Sequence, residues 1–148
     1  MGEAYNDDSV WIIKTHYPLC EEDDQKFHAN RVICCVRNPL EVTVSMFNFW
    51  SSQTQNKSIK EQDFNAIFPE DWDRMMKQEI EVWLNFHTYW REKQANNYPV
   101  YFFRYEDIIS DPVKTLTGLF KFLLDVPSLE GTIVEEKIKQ YVSIETKP

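Results

Sequence analysis

Three short apolar runs, at residues 10–13, 31–36 and 99–105, alternate with helical patterns, and this alternation restricts the fold more than any other feature. Runs of that length rich in β-branched or aromatic residues read as buried strands, the first two of them covered on both faces. Each ends sharply. Pro18 stops any ladder after the first, Arg37-Asn38-Pro39 closes the second, and Glu106-Asp107 closes the third. Asn38 is a good N-cap, Pro39 suits the first helical position and Glu41 falls where a capping box puts its acid, so residues 39–50 are expected to be helical with Val42, Met46 and Phe49 facing inward. Pro69 opens a longer helix over residues 70–94, with Trp72, Met76, Ile80, Trp83, Leu84, His87 and Trp90 at helical spacing. Ser110-Asp111-Pro112 starts another, carrying Val113, Leu116, Leu119, Phe120, Leu123 and Leu124 despite Gly118, and a last helix is expected over residues 131–141. Strands alternating with helices specify an α/β fold, a parallel sheet flanked by helices with right-handed crossovers. Sheets usually have about four to six strands, so three imply that residues 1–148 form one partial domain.

At 148 residues, 43% of them hydrophobic, the chain holds ample material for a core. No apolar stretch approaches the roughly 20 residues of a membrane span, and residues 1–9 are acidic and polar, unlike a secretory signal, so the expectation is a soluble, cytoplasmic protein. Cys20, Cys34 and Cys35 form no CxxC pair and read as reduced thiols, mostly in the core. Asn56-Lys57-Ser58 matches a glycosylation acceptor, best read as a chance occurrence where no secretion signal is present. The net charge of −8 argues against a nonspecific nucleic-acid binder. A small anionic ligand remains open, because the acids sit in local runs such as Glu21-Glu22-Asp23-Asp24, away from Lys14 and Arg37.

Side chains alternate along a strand, so Lys14 and His16 point the same way at the end of the first run, where open parallel sheets bind ligands. The other two strand ends carry Arg37 and then Tyr105-Glu106-Asp107. An arginine fork matches phosphate or sulfate oxygens, the N-terminus of the following helix favours negative charge, and Ser45 in that helix offers a hydroxyl. Together they describe an anion site. A histidine with an ordinary pKa near 6.5 can take a proton from a hydroxyl, worth about 10²- to 10⁴-fold in rate when well placed. Each residue also has a plainer reading: His16 as a surface histidine, Arg37 as partner of an acid, Ser45 as a small helix residue, and Tyr105 as a half-buried strand residue. His28 and His87 are assigned no role.

Lys14-Thr15-His16-Tyr17-Pro18 resembles the KTHxP segment of cytosolic-type sulfotransferases, and residues 37–45 resemble their RNxxDxxxS segment at about the expected separation. Tyr105-Glu106-Asp107 followed by Asp111-Pro112 is similar to the family's YED segment and its downstream DP. Three such segments in order, with Trp83 and Trp90 fitting the family's long helix, extend the resemblance over residues 10–144. It implies an incomplete three-layer fold like that of P-loop NTPases and transfer of a sulfuryl group from 3′-phosphoadenosine 5′-phosphosulfate (PAPS) to a hydroxyl or amine of a small-molecule or glycan acceptor, without a metal. Carried over by position, His16 is the general base, Lys14 steadies charge on the sulfate oxygens, Arg37 and Ser45 hold the 3′-phosphate, and Tyr105 contacts the adenine.

The sequence departs from the family at both ends. Only nine residues precede Val10, and none resembles the family's PKSGTTW-like phosphosulfate loop; no RKG-like segment stands near Pro148, and Glu41 replaces an aspartate. The chain is therefore expected to be a fragment of the domain, its central and C-terminal portion. A noncatalytic remnant that binds a nucleotide or another protein is the alternative. A nucleotide kinase is disfavoured, since no GxxxxGK[ST] loop or evident magnesium-binding acids are present.

Overall fold

The parallel ladder expected from the sequence is formed by β1 (Val32–Val36) and β2 (Val100–Arg104), paired from Val32↔Val100 to Val36↔Arg104. The computed structural model describes residues 11–14, 29–54, 56–60, 63–67 and 69–145. Around the strands come α1 (Pro39–Ser52), α2 (Phe64–Ile67), α3 (Pro69–Ala95), α4 (Tyr105–Ser110), α5 (Pro112–Leu124) and α6 (Ile133–Glu145). The class is α/β, with a two-stranded parallel sheet among the described residues.

Local chemistry explains the helix limits. Asn38 Oδ1 accepts the Leu40 N–H at 3.0 Å and Pro39 occupies the first turn of α1. The helix stops where Gln53 enters the left-handed region at φ 52°, its N–H donating to the Phe49 carbonyl. Asp111 caps α5 through Lys114 N at 3.1 Å, and Asp125 ends it at φ 55°. The Asp125 carboxylate also takes Arg31 at 2.7 Å, tying the entry of β1 to the end of α5. Gly118 has a specific use: a β-carbon there would lie 2.5 Å from the hydroxyl of Tyr101, whose ring stacks on Phe122 at 5.2 Å. Absence of that carbon lets α5 lie close on β2.

Several expectations change, beginning at the N-terminus of α1, where Glu41 does not close a capping box: the Asn38 N–H goes to Glu106 at 3.0 Å, and Glu41 takes Arg37 at 3.1 Å instead. Trp11 to Lys14 form no strand; Trp11 and Ile12 are 68% and 59% exposed. An apolar run becomes a strand only by exchanging ladder bonds with a neighbour, and no neighbour to it lies among the described residues. Strand β1 is not covered on both faces: Cys34 is buried and Cys35 exposed. The inward residues of α1 are Thr43 and Phe47, whereas Met46 and Phe49 are exposed. Thr43 is accommodated inside because its hydroxyl donates to the Pro39 carbonyl at 2.8 Å. Finally, the sequence contains two unanticipated short helices, α2 and α4, and the last helix runs to Glu145.

Phe47, wholly buried, meets Phe64 at 4.7 Å and Trp72 edge-on at 5.0 Å, which fastens α1 and α2 against α3. No helix among the described residues is long and apolar enough to cross a membrane.

Candidate functional site

Parallel pairing carries two sequence-identified residues to one edge. Val36 pairs with Arg104, so the next residues along, Arg37 and Tyr105, leave their strands side by side. The Arg37 guanidinium carbon lies 4.6 Å from the centre of the Tyr105 ring, a cation–π contact, and its Nε donates to Glu41 Oε2 at 3.1 Å. Among the described residues no hydrogen bond engages the two terminal nitrogens of Arg37. The fork is thus oriented with donors to spare, beside the positive end of the α1 dipole.

Two further residues define this corner; the sequence places Glu106 at the same strand end as Tyr105 but assigns neither it nor Trp83 a contact with Arg37 or Asn38. Trp83 Nε1 of α3 donates to the Arg37 carbonyl at 3.0 Å. Glu106 Oε1 of α4 accepts the Asn38 N–H at 3.0 Å, while its second oxygen pairs with Arg104 Nε at 3.4 Å. The Asn38 N–H, then the N–H of Glu106 itself, hold the Glu106 carboxyl below the usual carboxylate range, with Arg104 adding to them against partial desolvation. Cys35 stands nearby: burial first, then Glu106, raise its thiol, and Arg37 opposes them. Burial, then Cys35, push Cys34 up to about 12, so that thiol stays protonated and inert at neutral pH. The sequence signals for these two contacts were an indole with one donor at helical spacing on the long helix and an acid directly after Tyr105.

Ser45 is exposed on α1, four residues beyond Glu41 and hence on the helix face that Glu41 presents to Arg37. Lys14 is exposed and outside any strand. His16 lies outside the described residues, so the expected convergence of Lys14 and His16 with Arg37 does too. Trp83 stacks on His87 at 3.8 Å, and His87 Nδ1 stands 2.7 Å from the Trp83 carbonyl; that bond is best made by Nδ1–H, which leaves buried Nε2 without a hydrogen-bond partner among the described residues. No cluster of three metal-binding side chains occurs among the described residues.

The corner therefore offers an oriented cation, a helix N-terminus, an exposed hydroxyl and an aromatic ring that is 39% exposed. That set suits a phosphate attached to an aromatic base. A family model described as a sulfotransferase domain matches residues 2–145. No curated protein and no solved structure gives a significant match.

Proposed function

Because the chain belongs to the sulfotransferase domain family, whose chemistry is sulfuryl transfer, we propose that it uses PAPS as donor and a hydroxyl or amine of a small molecule or glycan as acceptor. The acceptor atom attacks sulfur, the bond from sulfur to the bridging phosphate oxygen breaks, and adenosine 3′,5′-bisphosphate leaves. The acceptor proton passes to His16, the general base. Lys14 neutralises charge gathering on the sulfate and bridging oxygens. Arg37, through its terminal nitrogens, and Ser45, through its hydroxyl, hold the 3′-phosphate, and Tyr105 contacts the adenine.

The observation that carries this reading is the juxtaposition of Arg37 and Tyr105 at the ends of adjacent parallel strands, 4.6 Å from guanidinium to ring. The two groups needed for a 3′-phosphate and a base stand together. Binding should show it first: adenosine 3′,5′-bisphosphate raises the melting temperature more than 5′-AMP does at equal concentration, because the extra phosphate finds Arg37. Equal shifts, or none, contradict the reading. Labelled PAPS with a panel of phenols, alcohols and sugars then tests transfer, which His16→Ala should abolish; binding without turnover would mark a noncatalytic member of the family.

A further inference from the structure

One peptide unit in this molecule has both of its polar ends taken by side chains from distant parts of the chain. The unit joins Arg37 to Asn38. Its carbonyl accepts from Trp83 Nε1 and its N–H donates to Glu106 Oε1, each at 3.0 Å. A trans peptide is planar with C=O and N–H pointing in opposite directions, so Trp83 of α3 and Glu106 of α4 meet it from opposite edges. Turning that plane would break both bonds together.

Both holders are themselves held. The Trp83 indole stacks on His87 at 3.8 Å, and His87 Nδ1 reaches back to the Trp83 carbonyl at 2.7 Å. Glu106 is braced by Arg104 at 3.4 Å, and the residue before it, Tyr105, supplies the ring beneath the Arg37 guanidinium. The orientation of the 37–38 plane constrains the Cα–Cβ direction of Arg37, and with it where the fork can reach.

We propose that Trp83 and Glu106 clamp the Arg37–Asn38 peptide and act as positioning residues for 3′-phosphate recognition by Arg37, an inference that rests on the sulfuryl-transfer reading above. Neither residue touches the nucleotide. Their effect is confined to the phosphate that Arg37 reads, so the measured signature is the ratio of affinities for adenosine 3′,5′-bisphosphate and 5′-AMP. A role in folding alone would move both affinities together and leave the ratio unchanged.

Calorimetric titration of both nucleotides into the full chain and three variants tests this. Trp83→Phe keeps the ring that stacks on His87 and removes only the donor; Glu106→Leu removes the acceptor; Glu106→Gln restores an acceptor oxygen of the same reach. The ratio should fall about three- to tenfold in Trp83→Phe and in Glu106→Leu, the effect of one lost hydrogen bond, with 5′-AMP binding unchanged. Glu106→Gln should keep the ratio at or above that of the unaltered protein. If Trp83→Phe does not fold, the two Glu106 variants decide. A wild-type preference for the bisphosphate that survives in Trp83→Phe and Glu106→Leu overturns the clamp alone, and parallel loss of both affinities overturns it too. A wild-type protein with no preference overturns the sulfuryl-transfer reading and takes the clamp with it.

Discussion

Helix α1 is secured in two different ways along its length. In its second half Phe47 is sealed between Phe64 and Trp72, with centroids 4.7 and 5.0 Å away, contacts whose stabilisation comes mainly from the apolar area they remove from water. At its start the chain is held by single directed bonds, from Trp83 to the Arg37 carbonyl and from Asn38 to Glu106. Apolar burial is non-directional and scales with area, so the aromatic end supplies stability. Hydrogen bonds have modest net value and strict geometry, so the polar end supplies position. Burial and directed positioning are thereby separated along one helix, with about two and a half turns between Asn38 and Phe47.

The strongest challenge to that division is Phe47→Ala. Deleting a fully buried aromatic ring should cost about 3–5 kcal/mol in denaturant unfolding, while the preference for adenosine 3′,5′-bisphosphate over 5′-AMP survives in whatever fraction remains folded. A large change in that preference would mean that the two ends are not independent. Arg37→Ala is the converse. It should lose about 1.5–3 kcal/mol of bisphosphate affinity, as for hydrogen bonds to a charged group, with only a small change in melting temperature because the side chain is part-exposed and its pairing with Glu41 is screened.

Acid should weaken the polar end through Glu106. The folded-state pKa of Glu106 is depressed, chiefly by the Asn38 N–H, so its contribution is present above the ordinary carboxylate range and is lost as pH falls through the depressed folded value. Glu135, lowered first by Lys139 and then by the Gly131 N–H, behaves alike at the start of α6. Melting temperature should therefore fall more steeply on acidification in the unaltered protein than in Glu106→Gln; identical slopes would remove Glu106 from the polar end. The smallest effect is expected at Trp11, 68% exposed and outside any strand: Trp11→Ser should shift stability by no more than about 0.5 kcal/mol.

How much of this was legible depended on the distance over which each feature is encoded. The β1 and β2 strands, the cap at Asn38 and the helix starts at Pro39, Pro69 and Pro112 rest on neighbouring residues and are all present. Arg37 and Tyr105 were each legible as strand-end residues; that β2 stops at Arg104, one residue short of the expected run, and that parallel register sets Tyr105 beside Arg37 came from the structure. The buried face of α1 was not, since Leu40, Val42, Val44, Met46, Phe47, Phe49 and Trp50 nearly encircle the helix, and only the placement of Phe64 and Trp72 selects Thr43 and Phe47. The run at residues 10–13 shows the opposite limit, where apolar composition alone did not make a strand of Trp11 to Ile13. The bonds of Trp83 and Glu106 to the Arg37–Asn38 peptide stayed hidden because they span 46 and 68 positions, beyond the reach of any local pattern.

That 68-residue span between Asn38 and Glu106 also has a kinetic meaning. Contacts such as α2 on α3, or α4 on α5, join neighbours in sequence and close early, whereas the β1–β2 ladder must first bring together segments separated by the whole of α3. Recognition should mature last during refolding: after a denaturant jump, far-ultraviolet ellipticity recovers before the protein regains bisphosphate binding, and simultaneous recovery would mean that the long loop closes in the first step.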